Sequence, residues 1–200
     1  MHTFTLLFPL PIHRYKRGGK LSGVLYFHPI SDLRMDWIST LNFKMLRKLC
    51  GESALQNVVI VTNMWGEVDL QVGEAREAEL MREEIFFKPI LDKGGRIARN
   101  ENTVISAQNI IRLVLGNRPL PLRIQRELID EGKGISATSA SKELHREFNA
   151  QIMKHQEEVR NTRALKEEIH VLKAGMRAMR DENEEIRREL QRMQQETEAR

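Results

Sequence analysis

The side chains that could do chemistry are few, and their spacing argues against catalysis. The six histidines, His2, His13, His28, His145, His155 and His170, are scattered with no metal-ligand spacing. Cys50 is the one cysteine, which excludes an internal disulfide framework and fits a reducing compartment such as the cytoplasm. His28, Ser31 and Asp32 match a triad in composition only, and a turn with an N-capping Asp is the simpler reading. A phosphate-cradling loop needs Gly-x-x-x-x-Gly-Lys-Ser/Thr between a strand and a helix, so that backbone N–H groups face the phosphates. The nearest echo, Gly18-Gly19-Lys20-Leu21, has Arg14 at the first glycine position and Leu21 at the hydroxyl position, and it precedes a strand. No Asp-x-x-Gly segment follows a predicted strand either, so the parts that hold Mg²⁺ and sense a γ-phosphate are missing. Trp65, just beyond a predicted strand, could stack on a base, although packing is the commoner role for such a residue.

The elements that must position these residues read as α/β. Gly23-Val24-Leu25-Tyr26-Phe27-His28 and Val58-Val59-Ile60-Val61-Thr62-Asn63 are continuous runs of β formers, as expected of strands buried on both faces of a parallel sheet. Between them Asp36 is a plausible N-cap, Trp37, Leu41, Met45 and Leu49 recur at helical spacing, and Gly51 suits the stop. That makes a βαβ unit with an expected right-handed crossover. A helix is predicted from about Gly73 to Glu84, an interruption at Pro89, a short edge strand at Arg96-Ile97-Ala98, and a helix over Thr103 to Leu115. Ile110, Ile111, Val114 and Leu115 form the apolar face of that last helix. Ligands of such a sheet approach the carboxyl ends of the strands, which directs attention to the segments after His28 and Asn63.

The carboxyl-terminal part has a different pattern. From Lys142 onward there is no proline and Gly175 is the one glycine. Thr162, Ile169, Met176, Asn183, Leu190 and Thr197 fall at heptad position a, and Leu165, Leu172, Met179, Ile186 and Met193 at d, a strong coiled-coil signal. In a parallel pair Glu168 faces Lys173, Glu182 faces Arg187, and Glu189 faces Gln194. Asn183 is the kind of a-position residue that fixes register in a two-stranded coil. The expected partner is therefore a second copy or another coiled-coil chain through residues 162–197. The alternative is a single amphipathic helix docked on another protein or on the chain's own globular part.

The net charge of +4 at a pI near 9.3 is unevenly distributed. Residues 1–48 hold eight Lys/Arg against two Asp, whereas residues 142–200 hold thirteen of each sign. The front-loaded cations include Lys44, Arg47 and Lys48 on a predicted helix, so a solvated face is favoured over a nucleic-acid surface. No stretch reaches the length of a membrane span, and the apolar start lacks the marks of a signal peptide. The expected organisation is an unstructured lead-in (1–15), an α/β module (16–117), a linker (118–141) and a coiled coil (142–200).

The runs Gly23 to Met35, Leu49-Cys50-Gly51, Asn57 to Trp65, and Phe86-Phe87-Lys88-Pro89 with Leu91-Asp92-Lys93-Gly94 resemble, in order, fungal G-domain proteins related to the immune-associated, avirulence-induced GTPases. The likeness covers about residues 16–116. It implies a partial P-loop NTPase-like parallel sheet of about three strands with flanking helices, followed by a long coiled-coil helix. It places Thr62, Asn63, Met64 and Trp65 at the guanine-reading motif, with GTP or GDP as the implied ligand. Trp65 stands where that motif has its Asp, and Pro29 where relatives show a basic residue. The family's amino half, with first strand, phosphate loop and first helix, has no counterpart in this chain, so the implied module is degenerate and not hydrolytic. The alternative is a coiled-coil scaffold with a vestigial α/β module.

Overall fold

The run Val58-Val59-Ile60-Val61-Thr62 is buried along its whole length, and it becomes the middle strand of a three-stranded parallel sheet. The computed structural model of the chain describes residues 9–32 and 37–198. Strand β1 (Val24–Pro29) pairs with β2 (Val58–Asn63) from Val24↔Val58 to Pro29↔Asn63. Strand β3 (Arg96–Arg99) pairs with the other edge of β2, from Val59↔Arg96 to Thr62↔Arg99. The chain divides into a globular unit ending at Glu147 and a second unit, Phe148–Arg200.

Because side chains alternate along a strand, β2 needs a helix layer on each face. On one face Tyr26, Val58 and Ile60 pack with Phe43, Leu46 and Leu49 of α2 (Trp37–Cys50), Leu80 of α3 (Leu70–Arg82) and Ile90 of α4 (Lys88–Leu91). Phe43 is the hub of this layer, with ring centroids 4.9 Å from Phe87 and 5.2 Å from Tyr26. On the other face Val59 and Val61 meet Ile110 of α5 (Val104–Leu115). Here the sequence expectation is corrected in part. Ile110 is buried, but Ile111 and Leu115 are exposed, because a sheet three strands wide presents α5 with only a narrow apolar strip.

Local signals explain the boundaries. Gly51, at φ +73°, ends α2 as its sequence position suggested. Asp69 caps α3 by accepting from Gln71 N and Val72 N, and Thr103 caps α5 in a reciprocal pair with Ser106. The predicted cap Asp36 lies outside the described residues. Pro89 does not interrupt a helix; it sits in the first turn of α4, where a missing N–H costs nothing. Burial pushes the Cys50 thiol up to about 12, so it is an inert core residue. No helix among the described residues is long and apolar enough to cross a membrane.

Two expected segment assignments change. Helix α1 (Pro9–Lys16) occupies the latter half of the stretch expected to be an unstructured lead-in; residues 1–8 lie outside the described residues. Residues 118–141 are not a linker. Leu120 bridges Leu21, Leu122 and Ile124 are buried on α2, and α6 (Arg123–Gln125) continues into a π-turn, Arg126–Asp130. Residues 132–141, the Gly- and Ser-rich part of the expected linker, are tied down by a buried carboxylate from the π-turn. Glu127 accepts from Ser139 N (3.0 Å), Ser139 Oγ and Arg123 Nε (3.2 Å), which fixes the start of α7 (Ser139–Glu198).

Burial of Glu127 favours its protonated form, but the hydrogen bonds from Ser139 and Arg123 outweigh it and hold its pKa below the usual carboxylate value of about 4.5. A depressed folded-state pKa stabilises the protein above the unfolded value, and that stabilisation is lost as pH falls through the folded one. Glu127→Ala should lower unfolding stability by about 2–4 kcal/mol at neutral pH. It should also flatten the loss of stability below pH 4.5, as measured by urea denaturation across a pH series.

Candidate functional site

The carboxyl edge of the sheet gathers the four residues singled out from the sequence, Thr62, Asn63, Met64 and Trp65, directly at the end of β2. Thr62 is fully buried and Met64 is half exposed. Met64 adopts the left-handed conformation (φ 59°), which for a non-glycine residue is uncommon. That turn folds Trp65 back over the strand end. The indole Nε1 donates to the Thr62 carbonyl oxygen (3.3 Å) and to Thr62 Oγ1 (3.2 Å).

The Thr62 hydroxyl in turn donates to Glu77 Oε1 (3.0 Å) on α3. Glu77 is buried, and its other oxygen receives a fork from Arg99 at the end of β3, with Nε at 2.8 Å and Nη2 at 2.5 Å. Hydrogen bonding to Glu77, followed by the weaker contact with Glu74, raises the Arg99 pKa further, so the guanidinium is permanently charged. Its central carbon lies 4.1 Å from the Trp65 ring centroid, a cation–π contact. Gly73 of α3 completes the enclosure: a Cβ there would come within 2.9 Å of the Trp65 Cζ3 atom.

Backbone bonds join the same edge. Ile30 N donates to the Asn63 carbonyl (2.9 Å) and Asn100 N to the Thr62 carbonyl (2.7 Å), while Arg76 Nη1 donates to the Ile30 carbonyl (2.8 Å). Asn63 Oδ1 is buried without a hydrogen-bond partner among the described residues. The arrangement is a closed network of tryptophan, threonine, glutamate and arginine. Trp65 is half-buried in it, with a ring face given to Arg99.

The triad-like set does not assemble. His28 is buried in the aromatic layer, its ring centroid 5.6 Å from Phe43 and 5.5 Å from Phe87, whereas Ser31 Oγ faces Glu67 Oε2 at 3.5 Å. No group of three or more His, Cys, Asp or Glu residues among those described could hold a metal ion. Glu77, Arg99 and Gly73 were not singled out from the sequence. The only signal they gave was a charged residue closing an apolar strand and a glycine inside a helical pattern. A separate apolar cleft of about 590 Å³ opens between α1, α2 and the segment leading into α7, lined by Ile12, Met45, Leu49, Ile124, Leu128 and Leu144 among others.

Removing Glu77 would leave the Thr62 hydroxyl and the Arg99 fork without their acceptor. Glu77→Ala should therefore cost about 2–4 kcal/mol in urea unfolding, and Trp65→Phe, which deletes only the indole donor, about 1 kcal/mol. Equal costs for the two variants would contradict the network described. No family model, curated protein or solved structure matches the chain.

Proposed function

We propose that the chain is a self-assembling scaffold: a parallel two-stranded coiled coil through residues 162–197, each copy carrying a degenerate, non-hydrolytic G-domain-like module. The observation that carries this is the row of apolar side chains on the second unit. Leu165, Ile169, Leu172, Met176, Met179, Ile186, Leu190 and Met193 all lie on the heptad seam, and each is between 48% and 68% exposed in the single chain. A helix with so much uncovered apolar surface gains stability chiefly by burying it against a partner.

Charge chooses the partner and its direction. The e positions Lys173, Arg180 and Arg187 are all basic, and the g positions Glu168 and Glu182 are acidic. A parallel pair of identical helices sets g against e and joins opposite signs. An antiparallel pair would set e against e and g against g, joining like signs. The second copy of this chain in parallel register thus fits best, with Asn183 at an a position to hold two strands.

A guanine-nucleotide reading of the α/β module has one supporting observation, the position of Thr62-Asn63-Met64-Trp65 at the carboxyl edge of a parallel sheet. Against tight binding stand Trp65 in place of the base-reading Asp and a Thr62 side chain already engaged by Glu77. The module then binds guanine nucleotide weakly at best.

Sedimentation equilibrium of the full chain should give a dimer, and Leu172→Asp with Ile186→Asp should give a monomer. In a Cys50→Ser background, Thr162→Cys should form an oxidised disulfide between copies, an outcome that antiparallel pairing forbids. Calorimetry with GTP and Mg²⁺ should show no micromolar binding; such binding would restore the nucleotide reading.

A further inference from the structure

The cations at the front of the chain do not simply decorate a solvated face. Lys44, Arg47 and Lys48 lie one turn apart on α2, and they meet Arg123 of α6 and Arg146 of α7 around a polar cavity of about 240 Å³. Helix α2 returns from the carboxyl end of β1 to the amino end of β2, so this cavity lies at the opposite end of the sheet from Thr62 and Trp65. Its volume is below the ~300–1,000 Å³ of pockets for drug-sized ligands, which suits a compact anion.

The carboxylates nearby are already shared. Glu147 takes Lys44 (2.9 Å) and Arg146 (3.4 Å), and Glu143 takes Arg146 (2.5 Å) and Lys48 (3.7 Å). Glu127 takes Arg123 (3.2 Å), and Glu52 is engaged by Lys93 (3.2 Å). Arg47 lines the cavity and forms an ion pair with none of them among the described residues, which leaves its guanidinium charge uncompensated there. Gly51 makes the cavity possible: at φ +73° a Cβ would meet Arg123 Cβ at 2.7 Å and push that stem away.

We infer that this cavity binds a phosphate-bearing anion, with Arg47 as the principal contact and Lys48, Arg123 and Arg146 flanking it. The guanidinium fork matches a pair of phosphate oxygens, and the surplus of cations over carboxylates supplies the charge. The site is independent of the coiled coil and of the carboxyl edge.

The test uses the full chain at low ionic strength. Calorimetry with inorganic phosphate and with pyrophosphate probes a free anion, and cosedimentation with phosphatidylcholine vesicles carrying phosphatidylinositol phosphate probes a lipid headgroup. Saturable binding is expected in at least one arm. It should weaken as salt is added, fall roughly tenfold or more in Arg47→Gln, and stay unchanged in Arg112→Gln on α5. Arg47→Gln should keep its melting temperature, since it removes a cation that forms no ion pair among the described residues; Lys48→Gln gives a second, milder loss. Binding of pyrophosphate without vesicles assigns a soluble ligand, and vesicle binding that depends on Arg47 assigns a headgroup. Absence of binding in every arm, or equal binding by Arg47→Gln, overturns the inference.

Discussion

The globular unit is organised by the burial of β2 on both faces. A strand with Val58, Ile60 and Thr62 on one side and Val59 and Val61 on the other must have a neighbour at each edge and a helix layer above and below. Parallel neighbours require crossovers, so α2 returns the chain from β1 to β2, and α3 with α4 returns it from β2 to β3. All three strands then point the same way, and their ends form one edge where Thr62, Trp65 and Arg99 can meet. The closed network there is a consequence of that topology.

Two buried carboxylates do comparable structural work in this framework. Glu77 joins β2 to β3 through Thr62 and Arg99, and Glu127 anchors the start of α7 through Ser139 and Arg123. In each, hydrogen bonds and a cation replace the water that burial removes. At the cavity beside α2 the balance is reversed: the carboxylates are shared among several cations and Arg47 is left over. The two ends of the sheet thus differ in charge balance: Glu77 and Arg99 pair at one, and cations outnumber their carboxylate partners at the other.

The strands and the larger helices were legible in the sequence because burial leaves a direct mark on it. Val58–Asn63 was readable to the residue, and Gly51 marked a helix end by capping chemistry that depends only on local backbone. The edge position of Thr62, Asn63, Met64 and Trp65 followed from the end of a strand. Their roles did not, because Trp65 is defined by Arg99 and Gly73, which are distant in sequence and carry no periodic signal. Residues 118–141 were misread as a linker for the same reason. Gly and Ser content describes what a backbone can do, whereas the Glu127 contact that orders residues 132–141 comes from the π-turn before them.

The sequence alone determined the strand cores, the α/β order of elements and the heptad pattern of the last helix, since each rests on a continuous apolar run or a repeat of 3.6 or 3.5 residues that any local window reveals. It also located the excess of positive charge without saying where that charge collects. Tertiary structure alone decided that Trp65 packs against Arg99, that His28 belongs to an aromatic layer, and that Arg47 lines a cation-rich cavity. Those outcomes depend on which side chains from separate elements arrive at one point, and such convergence is set by packing rather than by any spacing along the chain.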